Sequence, residues 1–119
     1  MAKLDLSPLS NMDGFVGAAL VDGDSGMALA KQGGGGVDLD LAASGNAEVV
    51  KAKRRVAASL KLNDTIEDIL ISLERQYHLI RPLERNDKLF LYVVLDRSKS
   101  NLALSRHELK SFEKNLEFA

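Results

Sequence analysis

A short segment in the first quarter of the chain, Asp22-Gly-Asp-Ser-Gly26, has residue types that bind calcium in other proteins. A calcium loop of the EF-hand type also needs an acidic side chain at its fifth position and a bidentate Glu at its twelfth. This chain has Gly26 and Gly33 at those two positions. Because Asp and Gly tolerate the positive φ angles of tight turns, we predict a hairpin turn here and no metal site.

Four consecutive glycines, Gly33 to Gly36, precede a helical pattern, as glycines do in loops that bind phosphate. The phosphate loop of nucleoside triphosphatases continues with Gly-Lys-Ser/Thr, and this chain has no such sequence. Asp38 and Asp40 follow instead, and their carboxylates would repel a phosphate. We therefore predict that the glycines form a flexible connector outside regular structure and that the chain is not itself a GTPase.

Residues that could act as general bases or nucleophiles are few. The chain has two histidines, His78 and His107, and no cysteine. No Ser/His/Asp set is recognisable, and no metal-ligand spacing surrounds either histidine. Catalysis and metal binding both need several groups that converge on one point. We predict two ordinary histidines at a surface or interface, no catalytic residue, no metal and no cofactor.

The composition is that of a single folded domain over residues 1–119, with 28% charged and 45% hydrophobic residues. A net charge of −1 gives no field that would attract nucleic acid or an anionic membrane. No apolar run approaches the ~20 residues of a membrane span, and the N-terminus does not have the pattern of a signal peptide. The absence of cysteine is consistent with a reducing compartment, so we expect a cytoplasmic protein.

Hydrophobic periodicity predicts the elements that position these residues. Together they give an α+β fold, α-β-β-α-β-β-β-α, with one five-stranded antiparallel sheet and the long central helix on one face. The predicted elements are a short helix capped by Ser7 before Pro8, strands 15–22 and 26–31, a helix over 37–60, strands 65–73, 77–83 and 88–95, and a helix from Ser98 or Ser100 to about residue 117.

The predicted helix over 37–60 has acidic residues at its start and basic residues in its last turns, as the helix dipole favours. The small residues of its first half would let another backbone come close. That suits packing on a sheet or against a second copy of the same helix. We predict that one apolar stripe covers the sheet, formed by Leu39, Ala42, Ala43, Val49, Val50, Val56, Ala57 and Leu60.

The predicted strand over 65–73 is a candidate for dimerisation. An apolar strand with an open edge promotes aggregation unless another segment pairs with it. Pairing with its own copy across a two-fold axis would protect the edge, and we assign Thr65, Glu67, Ile69 and Ile71 to this interface. The alternative is that the strand lies inside the sheet of the monomer. The strand over 88–95 is continuously apolar and is predicted to be central.

The segment Lys51-Ala-Lys-Arg-Arg55 is the main basic cluster. Three interpretations are open: a solvated helix end that complements the dipole, a docking site for an acidic partner, or a nucleic-acid site. With 5% aromatic residues and none interleaved with the basic ones, stacking on single-stranded nucleic acid is disfavoured.

The order and spacing of these segments resemble the Roadblock / dynein light chain family of the longin-like superfamily, in its bacterial form. The resemblance covers about residues 8–117. It departs from the family pattern in its short N-terminal helix, which contains Pro8, and in its bare glycine tract. The matching segments are 14–22 and 25–30 for the first two strands, 39–43 at the start of the central helix, and 89–96 followed by 101–106 for the last strand and helix.

The resemblance implies a non-catalytic homodimer, with sheets joined at their edges and long helices side by side, that binds a small Ras-like GTPase or acts as its GTPase-activating protein. On this interpretation Glu48, Lys51, Arg54 and Arg55 contact the GTPase. Two alternatives remain. One is a structural adaptor that does not depend on nucleotide, and the other is a small-molecule sensor. A sensor needs a pocket with convergent polar groups, whereas the expected cavity lining is mainly aliphatic.

Overall fold

The fold, seen in a computed structural model that describes residues 4–116, is a single five-stranded antiparallel sheet between helices. The predicted order of elements is confirmed. The elements are a 3-10 helix (Ser7–Asn11), β1 (Phe15–Asp22), β2 (Ala28–Gly33), α1 (Leu39–Ser59), β3 (Ile69–Ser72), β4 (Gln76–Pro82), β5 (Leu89–Asp96) and α2 (Leu102–Glu113).

The N-terminal helix differs in detail from the prediction. It is a 3-10 helix whose first residue is Ser7. Leu6 is at the N-cap position, and no side chain caps the helix. Ser7 is therefore not the cap. Its backbone N–H instead donates to the Asp5 carboxylate at 2.9 Å. Pro8 lies in the first turn, where its missing N–H costs nothing, and Leu9 anchors the turn in the core.

The β1–β2 hairpin forms as predicted, and its turn is built by glycine and a carboxylate. Gly26 has φ +77° and donates its N–H to the Asp22 carbonyl at 2.8 Å. The Asp22 carboxylate accepts the Asp24 N–H at 3.0 Å, and this hydrogen bond lowers the pKa of Asp22. The glycine tract does not lie wholly outside regular structure, since Gly33 ends β2. A side chain there would meet the Val16 carbonyl at 2.7 Å, and its φ is +66°.

The sheet order is β2-β1-β5-β4-β3, so β5 is central and β2 and β3 are the two edges. The central position of β5 was predicted from its continuous apolar sequence. Pro82 closes β4 opposite Phe90, where the missing N–H interrupts little of the ladder. Within residues 4–116, neither α-helix combines the length and the apolar character needed to cross a bilayer.

Apolar side chains form a layer on each face of the sheet. One layer is closed by α1, which lies over β1 and β2, and the other by the 3-10 helix together with α2. The strand residues that face α1 are Ala19, Val21, Ile80, Phe90, Tyr92 and Val94. Those that face the 3-10 helix and α2 are Ala18, Leu20, Leu79, Leu91, Val93 and Leu95.

Helix α2 begins at a different cap from the one predicted. Asn101 is the N-cap, and its side chain accepts the Leu104 N–H at 3.1 Å. Ser98 is instead bonded to the Asp96 carboxylate in the turn after β5, which lowers the pKa of Asp96. The helix ends at Glu113, and residue 117, its predicted end, lies outside the described residues. Leu102, Leu109, Phe112 and Leu116 form an apolar stripe at this end of the chain and pack on the sheet.

Helix α1 ends in a Schellman motif that has lysine where glycine is preferred. Lys61 has φ +55°, its N–H bonds to the Ala58 carbonyl at 3.0 Å, and the Leu62 N–H bonds to the Ala57 carbonyl at 3.2 Å. These two bonds satisfy carbonyls that would otherwise have no partner at the helix end.

Lys61→Gly is expected to raise the free energy of unfolding by about 0.5–1 kcal/mol, because glycine adopts this backbone conformation without steric cost. Lys53→Gly, on an exposed turn inside α1, is the control and should lower it by about 1 kcal/mol. Urea unfolding followed by circular dichroism measures both. Equal destabilisation by the two glycines would contradict the assignment of the helix end.

Candidate partner-binding surface

Helix α1 positions the four residues assigned to a partner. Asp38 caps its start, where the side chain accepts the Leu41 N–H at 3.1 Å. Leu39, Ala43 and Val50 on one side of the helix are buried against the sheet. Because these anchors are four and seven residues apart, they lie on one side of α1, and the opposite side faces solvent.

Two of the four predicted residues also fasten α1 to neighbouring turns. The Lys51 ammonium donates to the Asp24 carbonyl in the β1–β2 turn at 3.1 Å. The Arg54 guanidinium donates to the Asp87 carbonyl in the turn before β5 at 2.8 Å. Sequence reasoning did not foresee these bonds, since they join residues 27 and 33 positions apart.

The other two predicted residues, Glu48 and Arg55, are exposed. Glu48 lies 3.7 Å from the Lys51 ammonium, a solvent-exposed pair that contributes little stability. Since successive residues of an α-helix are rotated by about 100° around its axis, the four side chains lie within one third of the helix circumference. We call Glu48, Lys51, Arg54 and Arg55 the polar strip.

An open groove of about 1070 Å³ lies between the C-terminal half of α1 and the turn before β5. Its lining is largely charged and polar, so the expectation of an aliphatic cavity is wrong for this groove. The basic side chains Arg54, Arg81, Arg85 and Lys88 are matched by Asp64, Glu67, Glu84 and Asp87. With equal numbers of cations and anions, the groove offers no net charge that would select a charged ligand.

The residues assigned to the dimer interface fall in two different places. Ile69 and Ile71 lie in β3, which is an edge strand. Thr65 and Glu67 lie in the loop before it, so the strand predicted over 65–73 is wrong in its first half. Asp68 explains the late start, because its carboxylate binds the Arg106 guanidinium of α2 at 2.9 and 3.2 Å.

A second apolar stripe on α1 was misplaced by sequence reasoning. Val49, Val56 and Leu60 were predicted to cover the sheet, but they are 38%, 47% and 62% exposed. The buried stripe runs through Ala43 and Val50 instead, about a quarter-turn or more away around the helix. A helical projection of this segment would have separated the two stripes, since a single helix cannot bury both on one sheet.

The exposed stripe faces the half of the sheet that α1 leaves uncovered. On that half, Ile69 and Ile71 of β3 and His78 of β4 point to the same face and are half-buried. We call Val49, Val56, Leu60, Ile69 and Ile71 the apolar face.

The two histidines have different surroundings. His107 is exposed on α2. His78 lies between two side chains, with Nδ1 3.0 Å from the Tyr92 hydroxyl and Nε2 2.9 Å from Gln76 Oε1. Its ring also meets the Tyr92 ring edge to face, with centroids 5.5 Å apart. Among residues 4–116, no three His, Asp or Glu side chains are grouped so that they could hold a metal ion.

Similarity to proteins of known structure is detected, whereas no protein-family model and no curated protein sequence matches the chain. A Roadblock/LC7 domain from Streptomyces avermitilis superimposes with a TM-score of 0.79 at 16% identity, over 91% of this chain and 88% of that one. MglB of Myxococcus xanthus gives a TM-score of 0.69 at 18% identity, over 92% and 91% of the two chains.

The gliding protein MglB from Thermus thermophilus gives a TM-score of 0.68 at 18% identity, over 92% of this chain and 85% of that one. At such identities, the similarity establishes the fold. These superpositions span nearly all of the chain and include both helices and the sheet, in agreement with the resemblance found in the sequence. The chain has the Roadblock/LC7 fold.

Proposed function

We propose that residues 1–119 form one non-catalytic domain that dimerises and regulates a small Ras-like GTPase in the cytoplasm. The observation that carries this proposal is the solvent-exposed surface of α1, which has the polar strip along one flank and Val49, Val56 and Leu60 of the apolar face along the other. The Roadblock/LC7 fold supports it, because the family that the sequence resembles works by protein contact rather than by chemistry of its own.

A second copy of the chain is the proposed occupant of the apolar face. Edge strand β3 can pair with its copy, and the apolar stripe of one α1 can then cover the bare half of the sheet beside it. Charge supports an antiparallel arrangement of the two helices. Asp38 at the start of one α1 would face Lys53 near the end of the other, since both lie on the side of the helix that carries the exposed apolar stripe.

The GTPase is proposed to dock on the polar strip. Lys51 and Arg54 are held by carbonyls of two turns, so the strip changes shape little on binding and loses little side-chain entropy. A rigid surface of this kind can orient the catalytic groups of the GTPase and lower its barrier by preorganisation. Of the two arginines, the exposed Arg55 is the better candidate for a direct contact with the nucleotide site.

Arg55→Glu is expected to weaken GTPase binding by roughly tenfold or more, because reversing one charge at a docking surface turns attraction into repulsion. Lys110→Glu, an exposed charge reversal on α2 at the other face of the sheet, is the control and should leave the affinity unchanged. Titration calorimetry with the purified GTPase in both nucleotide states measures the effect. Equal affinity of Arg55→Glu and the unaltered chain would exclude the polar strip as the docking site.

The partner itself is identified by affinity capture from the native lysate, with a slowly hydrolysed GTP analogue in one sample and GDP in the other. A Ras-like GTPase enriched with the analogue alone would support the proposal, and a hydrolysis assay would then separate activation from binding. Enrichment of larger proteins regardless of nucleotide would favour the structural adaptor instead.

A further inference from the structure

A chain of polar side chains runs through the otherwise apolar side of the sheet that faces α1. The Asn46 side chain on α1 hydrogen-bonds Tyr92 of β5, the Tyr92 hydroxyl contacts His78 Nδ1, and His78 Nε2 contacts Gln76. His78 lies opposite Ile71 of edge strand β3. The chain therefore ends within the apolar face, at the position that the proposed second copy would cover.

The partners of His78 fix its neutral tautomer. Gln76 Oε1 can only accept a hydrogen bond, so His78 Nε2 carries the hydrogen and donates it. Nδ1 of the neutral ring then has a lone pair, which accepts the Tyr92 hydroxyl hydrogen. The Asn46 amide, which lies beside Tyr92, donates to the Ala42 carbonyl of its own helix at 2.8 Å.

Protonation of His78 conflicts with this arrangement. A hydrogen on Nδ1 would compete for the Tyr92 oxygen, and the hydroxyl hydrogen would have to turn away from the ring. Tyr92 is 1% exposed, so the displaced hydroxyl hydrogen would not reach solvent, and a buried donor without an acceptor is unfavourable. Burial lowers the pKa of His78 even in the single chain, because a charged ring loses water there.

Within the described part of the chain, no group facing His78 is an anion that would compensate for the positive charge of a protonated ring. Those that face it are Ile71 from β3, Val94 and Tyr92 from β5, and Gln76 from its own strand. Tyr92 is the titratable group among these residues. Burial raises the pKa of its hydroxyl, so Tyr92 stays neutral. On α1, the charge on the same side as Asn46 is the cation of Lys53, which would repel an imidazolium.

We propose that His78 makes self-association of this chain dependent on pH, with the dimer favoured when His78 is neutral and dissociating when it is protonated. This inference rests on the homodimer proposed above. The second copy would remove the remaining water from the half-buried ring, so the dimer holds a proton on His78 less readily than the free chain does.

The direction of the pH dependence follows from this difference in proton binding. Well above the ordinary histidine pKa of 6.5, His78 is neutral in both states and contributes no dependence. Below it, the free chain takes up protons that the dimer excludes, so association weakens as the pH falls. With two His78 side chains in each dimer, the dissociation constant should rise by roughly 10- to 100-fold from about pH 7.5 to about pH 5.5.

Sedimentation equilibrium of the full chain at these two pH values tests the proposal. His78→Gln removes the titration but keeps a side chain that can hydrogen-bond, and its dimer should respond little to pH. His107→Gln removes the exposed histidine of α2 and should respond as the unaltered chain does. Far-UV circular dichroism at both pH values confirms that each variant is folded, and the NMR titration of the His78 ring at low and high protein concentration measures its pKa directly.

A dimer whose pH response is lost in His78→Gln and kept in His107→Gln would support the inference, together with a lower His78 pKa at high concentration. An equal pH response in all three proteins, or a concentration-independent pKa, would overturn it while leaving the homodimer intact. A chain that remains monomeric at about pH 7.5 at every concentration would refute the homodimer itself, and the switch with it.

Discussion

Glu113→Gln is expected to lower the free energy of unfolding by about 3 kcal/mol, because it removes the charge opposite a buried guanidinium. Arg81 and Glu113 are 5% and 4% exposed and join at 2.6 Å between β4 and α2. The second Glu113 oxygen accepts the Glu84 N–H at 2.9 Å. With a neutral amide at position 113, the anionic partner left to Arg81 among residues 4–116 would be the Glu84 carboxylate at 3.3 Å, which is itself largely exposed.

Two further variants test whether the loss of stability comes from the unpaired buried charge of Arg81. Glu84→Gln removes the exposed partner of Arg81 and should change stability by about 0.5 kcal/mol or less. Arg81→Met combined with Glu113→Leu replaces the pair by apolar side chains and should recover most of the loss. Since the chain has no Trp, urea unfolding is followed by far-UV circular dichroism. A cost for Glu113→Gln no larger than that for Glu84→Gln would contradict the expected role of the pair.

Val56→Asp is expected to raise the dissociation constant of the proposed dimer by about 100-fold or more, which corresponds to about 2.7 kcal/mol. In the single chain Val56 is 47% exposed, so its carboxylate can stay in water and the fold should remain intact. In the dimer it would be buried against the second copy without a partner, and an unpaired buried charge is strongly unfavourable.

Leu104→Asp is the matched control, because Leu104 is also apolar, helical and 43% exposed. It lies on α2, on the other face of the sheet from the apolar face, and its substitution should leave association unchanged. Sedimentation equilibrium over a range of concentrations measures both variants. Dissociation by both substitutions to the same extent would show that the loss is not specific to the apolar face.

Much of the fold could be predicted because its signals are local. The hairpin depends on Asp22 and Gly26, whose turn preferences act within five residues. The start of α1 depends on Asp38, a capping residue directly before an apolar pattern. The central strand β5 is apolar throughout because both of its faces are covered, and this leaves a continuous pattern in the sequence.

Where local signals competed, the sequence could not decide. Ser98, Ser100 and Asn101 are all good helix caps, and Asn101 is used because the turn after β5 engages Ser98. The late start of β3 depends on Asp68, whose partner Arg106 is 38 residues away. Neither the N-cap of α2 nor the start of β3 can be predicted from a short stretch of sequence, because contacts formed in the folded chain decide both.

The sequence by itself determined the order of elements, the α+β class and the β1–β2 hairpin turn, since these follow from backbone preferences and apolar periodicity over a few residues. Tertiary structure alone decided which of the two apolar stripes of α1 is buried, and so left Val49 and Val56 exposed beside the open edge of the sheet. It also decided that Lys51 and Arg54 hold α1 to its neighbouring turns. The physical reason is that burial and hydrogen bonding depend on which surfaces meet after folding, and residues far apart in sequence supply those surfaces.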